Sequence, residues 1–173
     1  MHMNKDNNRR MVLSILVDNT AGVLSRVAGL FSRRGYNIDS LTVGETENPL
    51  ISRMTVAVTG EENVLDQITK QLAKLEDVIE IVELERDLSV CRELVLVKVV
   101  AGAEDRTRLK TIADIFRANV VDISLRAMML EMTGATNKTD AFIKQLELDG
   151  FEINELVRTG ISGLTRGFAS VDD

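Results

Sequence analysis

The sequence predicts an α+β protein made of two copies of one βαββαβ module. Three observations carry this. A ladder of identical or similar residues recurs 74 positions on: Thr59-Gly60, Asn63, Asp66, Ile68 and Lys70-Gln71-Leu72 reappear as Thr133-Gly134, Asn137, Asp140, Phe142 and Lys144-Gln145-Leu146. Such self-similarity marks one unit used twice. Second, the apolar period switches between two and about 3.6 residues in the same order in both halves. Third, the only proline, Pro49, falls in an expected hairpin loop and interrupts no periodic run.

The elements follow in order. Met11, Leu13, Ile15 and Val17 share one face of a first strand, and Val12 and Leu16 share the other. Asp18-Asn19-Thr20-Ala21-Gly22 breaks the run with residue types that cap helices. Leu24, Val27, Ala28 and Phe31 recur at helical spacing, and Gly35 ends that helix in a position glycine fills cheaply. Ile38–Val43 and Ile51–Thr59 form a hairpin around Glu45–Pro49. Leu65, Ile68, Leu72 and Leu75 mark a second helix, and Val78–Leu84 a fourth strand. The second half repeats this with Leu94–Val100, a helix through Leu109, Ile112, Ala113 and Phe116, the strands Val120–Ser124 and Ala127–Thr133, a helix through Phe142 and Leu146, and Phe151–Arg158. Two ferredoxin-like modules result, each an antiparallel sheet with two helices on one face. Expected bounds are 10–84 and 91–168, with a disordered leader over 1–9 and a solvated linker over 85–90.

Each module has about 75 residues, a size at which a core is marginal. Strands apolar on both faces imply that the face without helices is covered, by the sister module or another subunit. A dimer at least is expected.

Composition narrows the function. Of 173 residues, 27 are acidic and 21 basic, a net charge of −6. Aromatics make up 3%. A nucleic-acid binder carries a basic footprint and bases need rings to stack on, so no nucleic-acid partner is expected. The longest apolar runs are far shorter than the roughly 18 residues of a membrane span, so no membrane partner is expected, and a cytoplasmic location is the default. The single histidine, His2, lies near the chain start, so no histidine-based catalytic group or metal cluster can assemble in a core. Cys91 has no cysteine partner in the chain. No phosphate loop, dinucleotide fingerprint or nucleophile elbow is present. Most carboxylates, Glu61, Glu62 and Asp66 among them, read as solvated faces. Met128, Met129 and Met132 read as core. No catalytic and no metal site is expected.

The turn after the first strand is more informative. Gly22 allows a sharp turn, and the amides of Val23 and Leu24 open a helix N-terminus, where unpaired N–H groups and the helix dipole favour an anion such as a carboxylate. Asn19 offers a donor and an acceptor, and Asn37, opening the second strand, offers the same pair nearby. Asx residues before a helix are mostly caps, so two readings stand: a cap, or the polar end of an amino-acid site.

The run Leu16-Val17-Asp18-Asn19-Thr20-Ala21-Gly22-Val23-Leu24-Ser25-Arg26-Val27 resembles the start of an ACT domain, a ligand-sensing βαββαβ module. Gly29-Leu30-Phe31-Ser32-Arg33-Arg34-Gly35-Tyr36-Asn37-Ile38-Asp39-Ser40-Leu41-Thr42-Val43, with Ser52-Arg53-Met54-Thr55, resembles the small, regulatory subunit of acetolactate synthase. So do Arg92-Glu93-Leu94, Ile115-Phe116-Arg117-Ala118, Thr139-Asp140-Ala141-Phe142 and Gly160-Ile161-Ser162-Gly163-Leu164-Thr165-Arg166-Gly167. The resemblance implies a non-catalytic chain that activates a catalytic large subunit and confers feedback inhibition by valine, sometimes leucine or isoleucine, in branched-chain amino-acid biosynthesis. It implies no cofactor in this chain, with thiamine diphosphate, Mg2+ and FAD in the large subunit. It also implies a homodimer through ACT domains, with the effector held by Asn19, Gly22, Val23 and Leu24 of one chain and Asn37 and Ile38 of the other. An ACT-domain amino-acid sensor serving a different metabolic enzyme is the alternative. The turn Ala101-Gly102-Ala103-Glu104-Asp105 of the second module lacks the asparagine and carries acids instead.

Overall fold

The computed structural model describes residues 8–167. It falls into two compact units, one of residues up to Val90 joined by Ile161 onward, the other Cys91–Gly160.

In the first unit the elements are β1 (Asn8–Asp18), α1 (Val23–Ser32), β2 (Ile38–Glu45), β3 (Ile51–Glu61), α2 (Glu62–Leu72) and β4 (Val78–Glu83). The sheet order is β2-β3-β1-β4, with every neighbour antiparallel. This is the split βαβ arrangement that the periodicities predict. Met11, Leu13, Ile15 and Val17 of β1 join Met54, Val56 and Val58 of β3 beneath Val23, Val27, Leu30 and Phe31 of α1 and Leu65, Ile68 and Leu72 of α2. One strand face and two helix stripes thus make one core. Gly35, at φ +71°, reverses the chain three residues past α1.

The face away from the helices is not bare. Ser14 on β1 and Thr55 on β3 lie opposite each other, and both are only 2% exposed. Ser40 and Thr42 stand beside them on β2. There Thr42 Oγ1 donates to Ile161 C=O at 3.0 Å, and Ile161 N–H donates to Ser40 Oγ at 3.3 Å. A ninth strand, β9 (Ser162–Thr165), follows. It pairs with β5 (Ser89–Val100), and Arg166 N–H donates to Leu88 C=O at 2.7 Å.

Within the expected module of 91–168, the segment after Gly160 bonds to β2 of the first unit and groups with that unit. The linker expected over 85–90 stops at Leu88, since Ser89 already begins β5 and is buried with its hydroxyl on Glu85 C=O. Of the leader expected over 1–9, residues 1–7 lie outside the described residues, and Asn8 and Arg9 are already paired in β1, with Arg9 on Glu83.

The second unit repeats the plan. After β5 come α3 (Arg106–Phe116), β6 (Asn119–Ile123), β7 (Ala127–Gly134), α4 (Thr136–Leu148) and β8 (Ile153–Arg158), in the sheet order β6-β7-β5-β8. Val97, Val99, Met128, Leu130 and Met132 meet Leu109, Ile112, Ala113, Phe142 and Leu146. Phe116 and Phe142 pack as tilted rings 5.4 Å apart. One polar knot enters this interior. Glu93 and Thr139 are buried, and the Thr139 hydroxyl donates to the Glu93 carboxylate. Arg158 lies 3.4 Å from that carboxylate and also pairs with Asp140.

Candidate effector site

The turn between β1 and α1 is built around Gly22, which is the N-cap of α1 in the left-handed region at φ +89°, ψ −12°. The first helical bond runs from Arg26 N–H to Gly22 C=O at 3.0 Å. The amides of Leu24 and Ser25 therefore have no intrahelical acceptor, as at any helix start. A Cβ at Gly22 would come within 3.0 Å of Arg26 Nη1. The guanidinium of Arg26 thus reaches back over the turn. Its other edge makes two bonds to Asp77, of 2.6 and 2.8 Å. The pairing raises the Arg26 pKa and holds the Asp77 carboxyl below its ordinary range, the hydrogen bond between them being the main cause. The turn is therefore a backbone-donor cradle bordered by a cation already neutralised by its neighbour.

Asn19 is not a cap. The N-cap position three residues later makes no side-chain bond, and the Asn19 amide turns the other way. Nδ2 donates to Pro49 C=O at 2.9 Å and to Glu45 Oε1 at 3.2 Å, while Oδ1 accepts from Ser52 Oγ at 3.0 Å. Asn19 N–H adds a bond to Leu50 C=O at 2.8 Å. The asparagine thus ties the turn to the β2–β3 hairpin. Both amide protons are spent, and one lone pair on Oδ1 remains. Its free valence is an acceptor, suited to an ammonium rather than to a carboxylate.

The other expected residues separate. Leu24 is exposed, whereas Val23 is 2% exposed in the core and its N–H already donates to Thr20 C=O at 3.4 Å. Asn37 and Ile38 are not near Asn19 in the same chain. Ile38 pairs with Val58, which pairs with Met11, at the far end of β1 from Asp18. Seven residues at about 3.3 Å each put them roughly 23 Å away. The reason is topological: α1 runs back along β1, so β2 starts at the opposite end of the sheet. Arg26, Asp77, Glu45 and Ser52 were not singled out from sequence. Arg26 had a local signal, lying one turn after Gly22, but Asp77 is 51 residues away and has none.

In the second module the equivalent turn is closed by the chain itself. A Cβ at Gly102 would meet Glu104 Oε1 at 2.5 Å, so a carboxylate of the protein already lies over that backbone.

A tandem pair of ferredoxin-like modules, the first with a glycine-opened strand-to-helix turn, defines a chain of the ACT-domain class. Residues 13–80 match the model of the acetohydroxyacid synthase small-subunit-like ACT domain, and residues 92–167 match that of the small subunit of acetolactate synthase. The acetolactate synthase small subunit of Mycobacterium leprae is 50% identical over 155 residues, 90% of each chain. The isozyme 3 small subunit of Escherichia coli is 45% identical over 158 residues, 91% of this chain and 96% of that one. The crystal structure of the small subunit from Thermotoga maritima superposes with a TM-score of 0.83 at 38% identity, covering 93% of this chain and 99% of the other. The chain belongs to the family of acetolactate synthase small subunits, the regulatory chains of that enzyme. Among the described residues no helix is long and apolar enough to cross a membrane.

Proposed function

We propose that this chain is the regulatory subunit that activates a catalytic acetolactate synthase large subunit and makes it sensitive to valine. It carries no chemistry of its own, and thiamine diphosphate, Mg2+ and FAD belong to the large subunit. The observation that supports the effector site best is the turn at Gly22, where the Leu24 and Ser25 amides of α1 have no intrahelical acceptor and the Arg26 guanidinium lies beside the turn. The effector carboxylate takes the amides of the first helical turn, and its ammonium takes the remaining lone pair of Asn19. Asn37 and Ile38 come from a second copy of the chain, because within one chain they lie at the far end of the sheet. Leu24, exposed beside the turn, contributes apolar contact for the side chain of valine.

A site divided between two chains is complete in one dimer arrangement only. Valine stabilises that arrangement by its differential affinity, and inhibition follows if the large subunit is most active with another. Couplings of this kind are about 1–3 kcal/mol. Family membership favours this reading over a sensor for a different enzyme. The test is a holoenzyme reconstituted from this chain and its large subunit. Gly22→Asp places a fixed carboxylate where the ligand's should bind, so valine inhibition is expected to disappear while activation remains. Asn19→Ala should weaken inhibition less severely. Inhibition that is unchanged in Gly22→Asp rules out this site.

A further inference from the structure

The first unit holds a cavity of about 660 Å³ on the sheet face turned away from α1 and α2. It brings together residues from two of the motifs that mark the family, none of which touches the effector turn. Arg53 and Thr55 come from the first, and Ser162, Gly163 and Leu164 from the second. The volume lies within the roughly 300–1,000 Å³ of ordinary small-molecule sites.

Arg53 is the group that needs explaining. It is half-buried, and among the described residues its guanidinium has one hydrogen-bond partner, Ser14 Oγ, 2.5 Å from Nη1. Among the described residues no carboxylate lies within 4 Å of it, although seven other basic side chains are so paired. A partly desolvated guanidinium without a counter-ion is costly, and its planar fork matches a carboxylate. Directly across the register from Arg53 stands Gly44, where an added Cβ would meet nothing within 4 Å. The wall beside the guanidinium is therefore open. Val90 and Leu164 supply apolar lining, and Glu47 supplies negative charge to the same cavity.

We propose that this cavity is a second ligand site, for an α-amino acid with an aliphatic side chain. Its carboxylate pairs with Arg53, its ammonium with Glu47, and its side chain lies against Val90 and Leu164. The proposal does not depend on valine binding at Gly22.

The experiment isolates the cavity by working in full-length Gly22→Asp, whose first site is blocked. That chain is titrated calorimetrically with L-leucine, beside Gly22→Asp/Arg53→Gln and Gly22→Asp/Gly44→Leu. Leucine is expected to bind Gly22→Asp, and each second substitution to weaken binding about tenfold or more. Gly44→Leu fills open space without strain and carries the test if Arg53→Gln fails to fold. The probe 4-methylpentanoate, which lacks the ammonium, is expected to bind more weakly than leucine. No leucine binding by Gly22→Asp, binding that survives both second substitutions, or equal binding of 4-methylpentanoate overturns the proposal. So does a failure of leucine to bind together with weaker capture of the large subunit by Arg53→Gln, which would make the cavity a docking point for a partner's carboxylate. Valine inhibition of the Gly22→Asp holoenzyme reports separately on the first site.

Discussion

At the scale of single residues, the effector turn is held by two devices that differ in kind. Asn19 is a neutral latch of three side-chain bonds to the hairpin. Arg26 and Asp77 form a charged clamp at the edge of the protein, with side chains 47% and 21% exposed. The clamp carries a pH signature. Because Arg26 holds the Asp77 carboxyl below its unfolded value, the pair stabilises the fold above the unfolded carboxyl pKa of about 3.9. That contribution disappears as pH falls through the lower, folded value. Asp77→Asn is therefore expected to be less stable than the parent at neutral pH, and the gap should close in acid below about pH 4. Denaturant titrations at a series of pH values measure this, and a gap that persists undiminished at low pH contradicts it. The cap reading of Asn19 shows where local sequence stops helping. Asn before a helix has the right type and nearly the right place, but its partners lie 26 to 33 residues away and win.

At the scale of elements, periodicity was enough for eight strands and four helices, because each buries a stripe with a clear period. It missed β9. Ser162-Gly163-Leu164-Thr165 has one large apolar residue and no alternation, and it is a strand only because β5 offers it a pairing edge. The apolar stripes do not mark helix starts: α3 begins at Arg106 and α4 at Thr136, ahead of Leu109 and Phe142, because first turns are polar and carry no apolar signal. The Glu93–Thr139–Arg158 knot joins three elements of the second unit: β5, α4 and β8. Thr139→Val keeps the shape and removes a donor from a buried carboxylate. A loss of about 1–3 kcal/mol in unfolding free energy is expected, read from a lowered denaturant midpoint. An unchanged midpoint would mean that Arg158 alone satisfies Glu93.

At the scale of the whole molecule, the register within the first sheet separates the two halves of the proposed effector site. Asn19 and Gly22 sit at one end of the sheet, and Asn37 and Ile38 at the other. A site using both sets requires two chains. β2 is also an edge strand of eight residues, whose outer N–H and C=O groups have no strand neighbour in the sheet. Light scattering at micromolar concentration is accordingly expected to give at least a dimer. A strictly monomeric chain that still binds valine would refute the two-chain site.

The sequence by itself determined the two-module α+β plan, the position of the Gly22 turn, the core stripes and the family, since these rest on local periods, short motifs and an internal repeat. Tertiary structure alone decided which way Asn19 turns, that Arg26 closes on Asp77, that Asn37 lies far from Asn19 in its own chain, and that Arg53 meets residues 162–164 around one cavity. The physical reason is the same in each case. A side chain's partners are set by register and by long-range pairing, which bring together residues tens to more than a hundred positions apart. No local pattern encodes which of the many possible partners will be the one within hydrogen-bond reach.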